Sequence, residues 1–245
     1  MRKIEVCCSS VYEIREAAKG GAKRVELCGA IACGGVTPNY GLIKEASRLK
    51  GLIEINVIIR PREGCFLFNE QEVEEMCLDI DLCRKLGLHG VVIGALTPDG
   101  DVDMKACRKM MKHAGGLSVT FHRAFDVCRN PMKALEDIIA LGCDRILTSG
   151  LAPTAQEGAA LLAELVEKAD GRIIIMPGAG IRPTNIAQIE KETRAMEFHS
   201  TARITKPDGM KYRNPEVSFA ISPALEGLIS HSDRQVVSEL VNNTL

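Results

Sequence analysis

Short runs of alternating apolar and polar residues recur along the chain and predict eight β-strands, each followed by a helix-like segment. The predicted strands span residues 3–7, 23–28, 53–60, 90–94, 118–122, 144–148, 172–176 and 195–199. The predicted helices begin near Val11, Asn39, Glu70, Asp103, Pro131, Thr154, Pro183 and Asp233. This α/β alternation in 245 residues favours a single-domain TIM-type (β/α)8 barrel. The alternative is an open doubly wound sheet, which binds ligands at one switch point.

One polar stretch interrupts the alternation near the C-terminus. It covers residues 200–232, contains the run TARITKPDGMKYRN and precedes the predicted C-terminal helix. Loops of this length are uncommon and are usually functional or disordered. No change in composition marks a linker, so we interpret residues 1–245 as one barrel domain with a long polar loop at about 200–232.

Composition excludes several classes of partner. The net charge is −1 and aromatic residues make up 4% of the chain, which argues against a nucleic-acid partner. No stretch resembles a signal peptide or is apolar enough to cross a bilayer, so we expect a cytoplasmic protein with no membrane partner. In a reducing compartment the 10 cysteines should be free thiols, and none has C-x-x-C spacing.

Ionisable side chains occupy the predicted barrel interior. In five of the eight strands one phase is apolar and should pack under the helices, while the other phase points to the barrel axis. The inward ionisable residues include Glu5, Glu26, Glu54, Glu197, Arg60, His122 and His199. A salt-bridge network explains the glutamates, because buried charges are costly unless paired. Both histidines fall at strand C-terminal ends, where barrel active sites form, and this position favours a functional role.

The segment SVTFHRAFD, residues 118–126, places a histidine, an arginine and an aspartate at one strand end. A histidine beside a carboxylate can act as a general acid or base near neutral pH. Arginines can hold a carboxylate or phosphate through bidentate contacts. The candidate catalytic residues are His122, His199, Glu26, Glu5, Arg60, Arg123 and Asp126.

The segment MPGAGI after the seventh predicted strand indicates an anion site. Glycines let backbone N–H groups approach an anion, and the helix expected at Pro183 would add its dipole. Barrels often bind phosphate after strands 7 and 8. The candidate phosphate-binding residues are Gly178, Gly180 and Ser200, and a plain tight turn is the alternative.

The first two strands share a Glu-x-Cys pattern. If they pair in matching register, Cys7 and Cys28 are neighbours on strands about 4.8 Å apart. Two thiolates at that separation suit a soft ion such as Cu(I). The alternative is a pair of small buried thiols that fill the barrel mouth. Cys33, in the following glycine-rich loop, is placed to supply a third sulfur.

A series of short motifs runs in order from Ile4 to Pro215: IEVCCSS, RVELC, GGVTPNYG, VIIRPREGCFLF, TFHRAFD, RILTSG, MPGAGI, EFHSTAR and GMKYRNP. Together they resemble the CutC family of copper homeostasis proteins. The resemblance implies a TIM-type barrel, cytoplasmic copper handling and a homo-oligomer, either a dimer or a tetramer. It also implies that the chain binds Cu(I), with Cys7 and Cys28 as the metal ligands.

Three functions are compatible with these residues. The first is copper homeostasis through Cu(I) bound at the strand-end cysteines. The second is a barrel enzyme of unassigned reaction that acts on a phosphorylated or carboxylated metabolite. The third is an oligomeric scaffold, although no heptad pattern supports it. The expected partner is therefore a copper ion or a small anionic metabolite.

Overall fold

The protein is described by a computed structural model that covers residues 2–218, 220 and 223–244. Within these residues, eight barrel strands and eight α-helices alternate, as the sequence predicts. The strands are β1 (Lys3–Cys8), β2 (Arg24–Leu27), β3 (Glu54–Ile58), β4 (Gly90–Ile93), β5 (Ser118–Phe121), β6 (Arg145–Thr148), β7 (Ile174–Pro177) and β8 (Glu197–Ser200). The helices are α1 (Val11–Lys19), α2 (Tyr40–Ser47), α3 (Glu70–Lys85), α4 (Met104–Ala114), α5 (Pro131–Leu141), α6 (Ala159–Ala169), α7 (Ile186–Thr193) and α8 (Arg234–Asn242).

The eight strands form one parallel sheet that curls into a barrel. Their order is β7-β6-β5-β4-β3-β2-β1-β8, so β1 pairs with both β2 and β8. At the β7–β8 junction the two strand ends are in contact. Gly178, which follows β7, packs so closely against His199 of β8 that a Cβ atom on the glycine would lie 3.4 Å from the His199 Cβ. The fold is therefore a single TIM-type (β/α)8 barrel, and the open doubly wound sheet is excluded.

Side-chain caps set where several helices begin. Asn69 and Glu72 form a capping box at the start of α3, in which each side chain accepts a hydrogen bond from the other residue's backbone N–H. Thr154 and Glu157 make the same reciprocal contacts, but they close a turn that precedes α6. As a result α6 begins at Ala159, later than predicted. Helix α7 begins at Ile186, which is also later than predicted.

The segment predicted as one long loop contains a β-ribbon. Strands β9 (Arg203–Pro207) and β10 (Leu228–Ser232) pair in antiparallel fashion. Most of their side chains are exposed, so neither strand has the alternation of buried apolar and exposed polar residues from which a strand is predicted. The Ser232 hydroxyl donates to the Cys7 and Thr201 carbonyls and fastens the ribbon to the barrel mouth. Residues 219, 221 and 222 of the predicted loop lie outside the described residues.

The barrel separates a large outer core from a small inner one. The outer core packs strand residues such as Val6 and Leu27 against the helices, and Cys8 belongs to it. The inner core consists of Cys7, Cys28, Ile58 and Val92. This division is the alternation of outward and inward side chains that the strand phases predict.

A charged network fills the interior toward the N-terminal ends of the strands. Arg24 is only 1% exposed and forms ion pairs with Glu5 and Glu197. Arg145 lies 3.2 Å from Glu197 and extends the network to β6. Glu5 and Glu197 thus belong to the salt-bridge network that the sequence predicts as one explanation for the inward glutamates, whereas Glu26 lies beside His199. The cations of the network, Arg24 and Arg145, were not among the predicted inward residues.

We expect Arg24→Met to lower the free energy of unfolding by about 3–5 kcal/mol, because two buried carboxylates lose their shared cation. Urea denaturation near neutral pH measures the loss. The matched control is Arg48→Met, because Arg48 is solvent-exposed and pairs with exposed Glu45. The control should cost less than about 1 kcal/mol. An equally small effect of Arg24→Met would contradict this account of the interior.

Candidate functional site

A cavity of about 180 Å³ opens at the C-terminal ends of the strands. Strands β1 and β8, together with the end of β2, supply one group of polar side chains. The ends of β3 and β5, with the loop after β3, supply another. The ionisable residues that line the cavity are Cys7, Glu26, Cys28, Arg60, His122, Arg123 and His199. The barrel therefore brings most of the predicted site residues to one place.

Strands β1 and β2 bring two thiols into contact. Their register pairs Cys7 with Glu26 and not with Cys28, so the predicted matching register is wrong by two residues. A shift of two residues keeps every side chain on the same face of the strand. Cys28 continues the strand direction by donating its N–H to the Cys8 carbonyl. The two Sγ atoms of Cys7 and Cys28 are 3.5 Å apart, and both side chains are buried.

His199 lies between two carboxyl groups. Its Nδ1 is 2.8 Å from Glu5 Oε1, and its Nε2 is 3.6 Å from Glu26 Oε2. Single ligand atoms from Cys7, Glu26 and His199 all lie within 4.8 Å of one another. This geometry allows His199 to join the thiol pair around a metal ion, or to exchange protons with a bound molecule.

The charges in this cluster depend on one another. Burial favours the neutral acid, but the Arg24 charge and the His199 hydrogen bond hold the pKa of Glu5 well below its usual range. Burial alone would lower the pKa of His199, yet hydrogen bonds with Cys7 and Glu5 raise it well above the usual value. The hydrogen bond from Cys28 outweighs burial and, with help from His199, lowers the pKa of Cys7 to about 6. At neutral pH an imidazolium therefore lies beside a thiolate.

The two remaining acids of the cluster keep their protons at neutral pH. Burial raises the pKa of Glu26 to about 8, even though the nearby His199 charge opposes the shift. The hydrogen bond that Cys28 donates to Cys7, together with burial, raises the pKa of Cys28 well above its usual value. Glu26 is thus a neutral acid and Cys28 a thiol.

His122 has a very different environment. Its Nδ1 accepts a hydrogen bond from the Ala124 N–H at 3.1 Å, so its own proton lies on Nε2. That Nε2 atom is buried and has no hydrogen-bond partner among the described residues. The ring packs against Phe66 with centroids 4.9 Å apart. Burial, followed by the Arg60 charge, lowers the pKa of His122 to about 3, so the ring is a neutral donor.

Arg60, two residues beyond the end of β3, connects two loops at the cavity mouth. Its Nη1 donates to the carbonyls of Cys33 and Gly35, and its Nη2 donates to the carbonyl of Gly64. The guanidinium lies over the Phe66 ring, 4.8 Å from its centroid. Cys33 is exposed on one of these loops and does not line the cavity, so the predicted third sulfur lies outside the thiol cluster.

Asp126 contacts the loop after β6 and not the histidines. Its carboxylate accepts hydrogen bonds from Ser149 and from the backbone N–H of Leu151. Arg123 donates to Asp126 at 2.6 Å and to the Ser149 hydroxyl at 3.1 Å. The pair shapes the cavity wall, and Arg123 reaches the cavity itself.

A second and larger cavity, of about 720 Å³, lies beside the ends of β7 and β8. Gly180 and Ser200 line it, whereas Gly178 does not. The Gly178 N–H donates to the Thr148 carbonyl, and the Ser200 hydroxyl donates to the Ile181 carbonyl. Two of the three predicted phosphate donors therefore already have partners, and phosphate binding here stays a prediction.

These features define the chain as a TIM-type barrel protein with an ionisable, thiol-bearing mouth. Within that class the chain belongs to the CutC family, whose model matches residues 2–204. A CutC family protein from Parabacteroides distasonis is 57% identical over 221 residues, which cover 90% of this chain and 91% of the relative. One from Bacteroides thetaiotaomicron is 50% identical over 217 residues, which cover 89% of this chain and 87% of the relative.

A solved structure agrees with this assignment. A CutC protein from Streptococcus agalactiae is 35% identical and superposes with a TM-score of 0.79, covering 82% of this chain and 99% of that chain. A thiamine phosphate pyrophosphorylase from Pyrococcus furiosus, 15% identical with a TM-score of 0.59 over 98% of this chain and 94% of its own, shares only the barrel fold. The family resemblance drawn from the sequence motifs is confirmed. Among the described helices, none is long and apolar enough to span a membrane.

The neutral state of His122 predicts a pH-dependent loss of stability. Its pKa is about 3 in the folded protein and 6.5 ordinarily, so below about pH 6.5 the unfolded chain binds a proton that the folded one does not. Stability should therefore fall as the pH falls through this window. The matched variant is His122→Asn, whose amide oxygen can replace Nδ1 as the acceptor for Ala124.

Between about pH 7 and about pH 5, the wild type should lose about 2 kcal/mol more of its unfolding free energy than His122→Asn loses. Urea denaturation at both pH values measures this difference. If the unfolding free energies of the wild type and His122→Asn differed by the same amount at both pH values, His122 would accept a proton in the folded protein. That result would contradict the prediction.

Proposed function

We propose that this protein binds Cu(I) through Cys7 and Cys28 at the barrel mouth, as a cytoplasmic copper homeostasis protein. The observation that carries the proposal is the 3.5 Å separation between two buried sulfur atoms at neighbouring strand ends. Soft thiolate ligands favour Cu(I) over harder ions. The relative from Streptococcus agalactiae, which is designated a copper homeostasis protein, supports the same assignment.

The donor set suits a monovalent soft ion. Cys7 is already largely a thiolate at neutral pH, because its pKa is lowered to about 6. Cys28 would give up its proton on binding, so loading should release protons. Glu26, whose pKa is raised to about 8, is protonated and offers little to ions that prefer carboxylates. His199 supplies a positive charge, or a nitrogen ligand, beside the two sulfurs.

The surrounding compartment also matters to the proposal. Two thiols in contact stay reduced where glutathione and thioredoxin maintain them, which is the condition in the cytoplasm. A homo-oligomer, either a dimer or a tetramer, stays a prediction that light scattering of the purified protein would check.

We expect the wild type to bind Cu(I) tightly with a stoichiometry of one, and Cys7→Ser/Cys28→Ser to bind at least about 100-fold more weakly. The reason is that a hydroxyl is a poor ligand for a soft ion. Anaerobic titration against a chromogenic Cu(I) chelator measures both affinities. The matched control is Cys83→Ser/Cys107→Ser, which removes two buried thiols of α3 and α4 that lie outside the barrel.

Three results of that titration would contradict the proposal. The first is weak binding by the wild type. The second is equal loss in the control variant, which would point to a general effect of removing buried thiols. The third is a preference for Zn(II) over Cu(I) in a parallel titration, which would assign the site to a different metal.

A second function, acid–base catalysis on a small anionic metabolite, is favoured by one observation. His199 lies between ionised Glu5 and protonated Glu26, and a group with a pKa of about 8 can act as a general acid near neutral pH. We propose this as the alternative. A metabolite screen by thermal shift on the copper-free protein tests whether any small acid stabilises the fold. NMR detection of product from each hit, with the wild type and with Glu26→Gln, tests whether the acid is turned over.

A further inference from the structure

Two buried donors in the cavity lack partners. His122 Nε2 and Arg60 Nε are both buried, and neither makes a hydrogen bond within the described part of the chain. The residues are only 3% and 5% exposed, and both line the 180 Å³ cavity. Donors that are buried without an acceptor are rare and costly, so a pair of them on residues that line one cavity indicates a missing ligand.

Arg60 adds a positive charge to these donors, on which Glu63 acts from a distance and without an ion pair. Its two Nη atoms donate to the neutral carbonyls of Cys33, Gly35 and Gly64. Within the described ranges no carboxylate forms an ion pair with it, whereas Arg24 and Arg145 deeper in the barrel are both paired. A buried cation is costly without a counter-charge. An anion in the cavity would supply that counter-charge.

We infer that this end of the cavity binds the carboxylate of a small organic acid, with its two oxygens accepting from His122 Nε2 and Arg60 Nε. A carboxylate carries one negative charge, which matches the single unpaired cation. The neutral His122 ring can donate one hydrogen bond and adds no charge. A phosphate would bring a second negative charge and a third oxygen, and no other buried side-chain donor among the described lining residues is unpaired.

The size and walls of the cavity narrow the class of ligand further. Ile58, Phe66 and Leu147 form apolar walls next to the two donors. A volume of about 180 Å³ holds roughly six waters at about 30 Å³ each, so the acid must be a short one. Glu26 and His199 border the same space, so the body of the acid would lie near these two proton-transfer groups.

This inference rests on the alternative, acid–base function and names its substrate class. It is independent of copper, because neither thiol takes part in the binding. The two proposals can therefore fail separately. Binding of an acid without turnover would remove the enzymatic proposal and keep the site, whereas absence of binding would remove the site.

The test uses ligand-observed NMR on the reduced, copper-free full chain, with propionate, pyruvate and inorganic phosphate as probes. Two substitutions at one position separate the roles of the His122 ring. His122→Asn keeps an acceptor at the Nδ1 position and removes the Nε2 donor. His122→Gln keeps an N–H at the Nε2 position and removes the acceptor for Ala124. His113→Asn, at a half-exposed histidine of α4, is the control.

We expect saturable binding of propionate or pyruvate to the wild type. Binding should be at least about 10-fold weaker in His122→Asn, partly restored in His122→Gln and unchanged in the control. The urea curves described above show whether each variant is folded. No saturable carboxylate binding to the wild type, or equal binding to His122→Asn, would overturn the inference. Displacement of propionate by phosphate at a lower concentration would overturn the carboxylate assignment.

Discussion

The ion pairs between Arg24 and the two carboxylates of Glu5 and Glu197 determine the electrostatics of the barrel. Arg24 keeps Glu5 ionised despite full burial. The ionised Glu5 carboxylate in turn accepts a hydrogen bond from His199 Nδ1. The charge on His199 then stabilises the thiolate form of Cys7. A single buried cation near the strand N-termini is thus linked, through two intermediate groups, to the reactivity of a sulfur at the barrel mouth.

The two ends of the cavity differ in the way they treat charge. Around Cys7 every ionised group has a partner of opposite charge, so that end can accept a cation that displaces a proton. At the other end, Arg60 Nε and His122 Nε2 lack acceptors among the described residues, so that end can accept an anion. A barrel mouth with both properties can hold a soft metal ion and a small acid in neighbouring positions.

Much of the fold and part of the site could be predicted because side chains alternate between the two faces of a strand. A register error of two residues leaves that assignment of faces unchanged. The thiol contact between Cys7 and Cys28 was predicted from a register that is wrong by two residues, yet a shift of two leaves the side chains on the same face. Arg24 was missed although it lies within the predicted strand 23–28 and shares the inward phase of Glu26, because the inward residues were read only from Glu26 onward. The partners of Asp126 could not be predicted, because a turn just after β5 directs that carboxylate toward β6. The ribbon of β9 and β10 was missed because its exposed side chains leave no apolar signal.

The most direct test of the central claim is X-ray absorption spectroscopy at the copper edge on protein loaded with one equivalent of Cu(I) under anaerobic conditions. We predict a first coordination shell with two sulfur atoms, from Cys7 and Cys28, with or without one imidazole nitrogen from His199. A shell made only of nitrogen and oxygen atoms, or one that keeps both sulfurs in Cys7→Ser/Cys28→Ser, would contradict it.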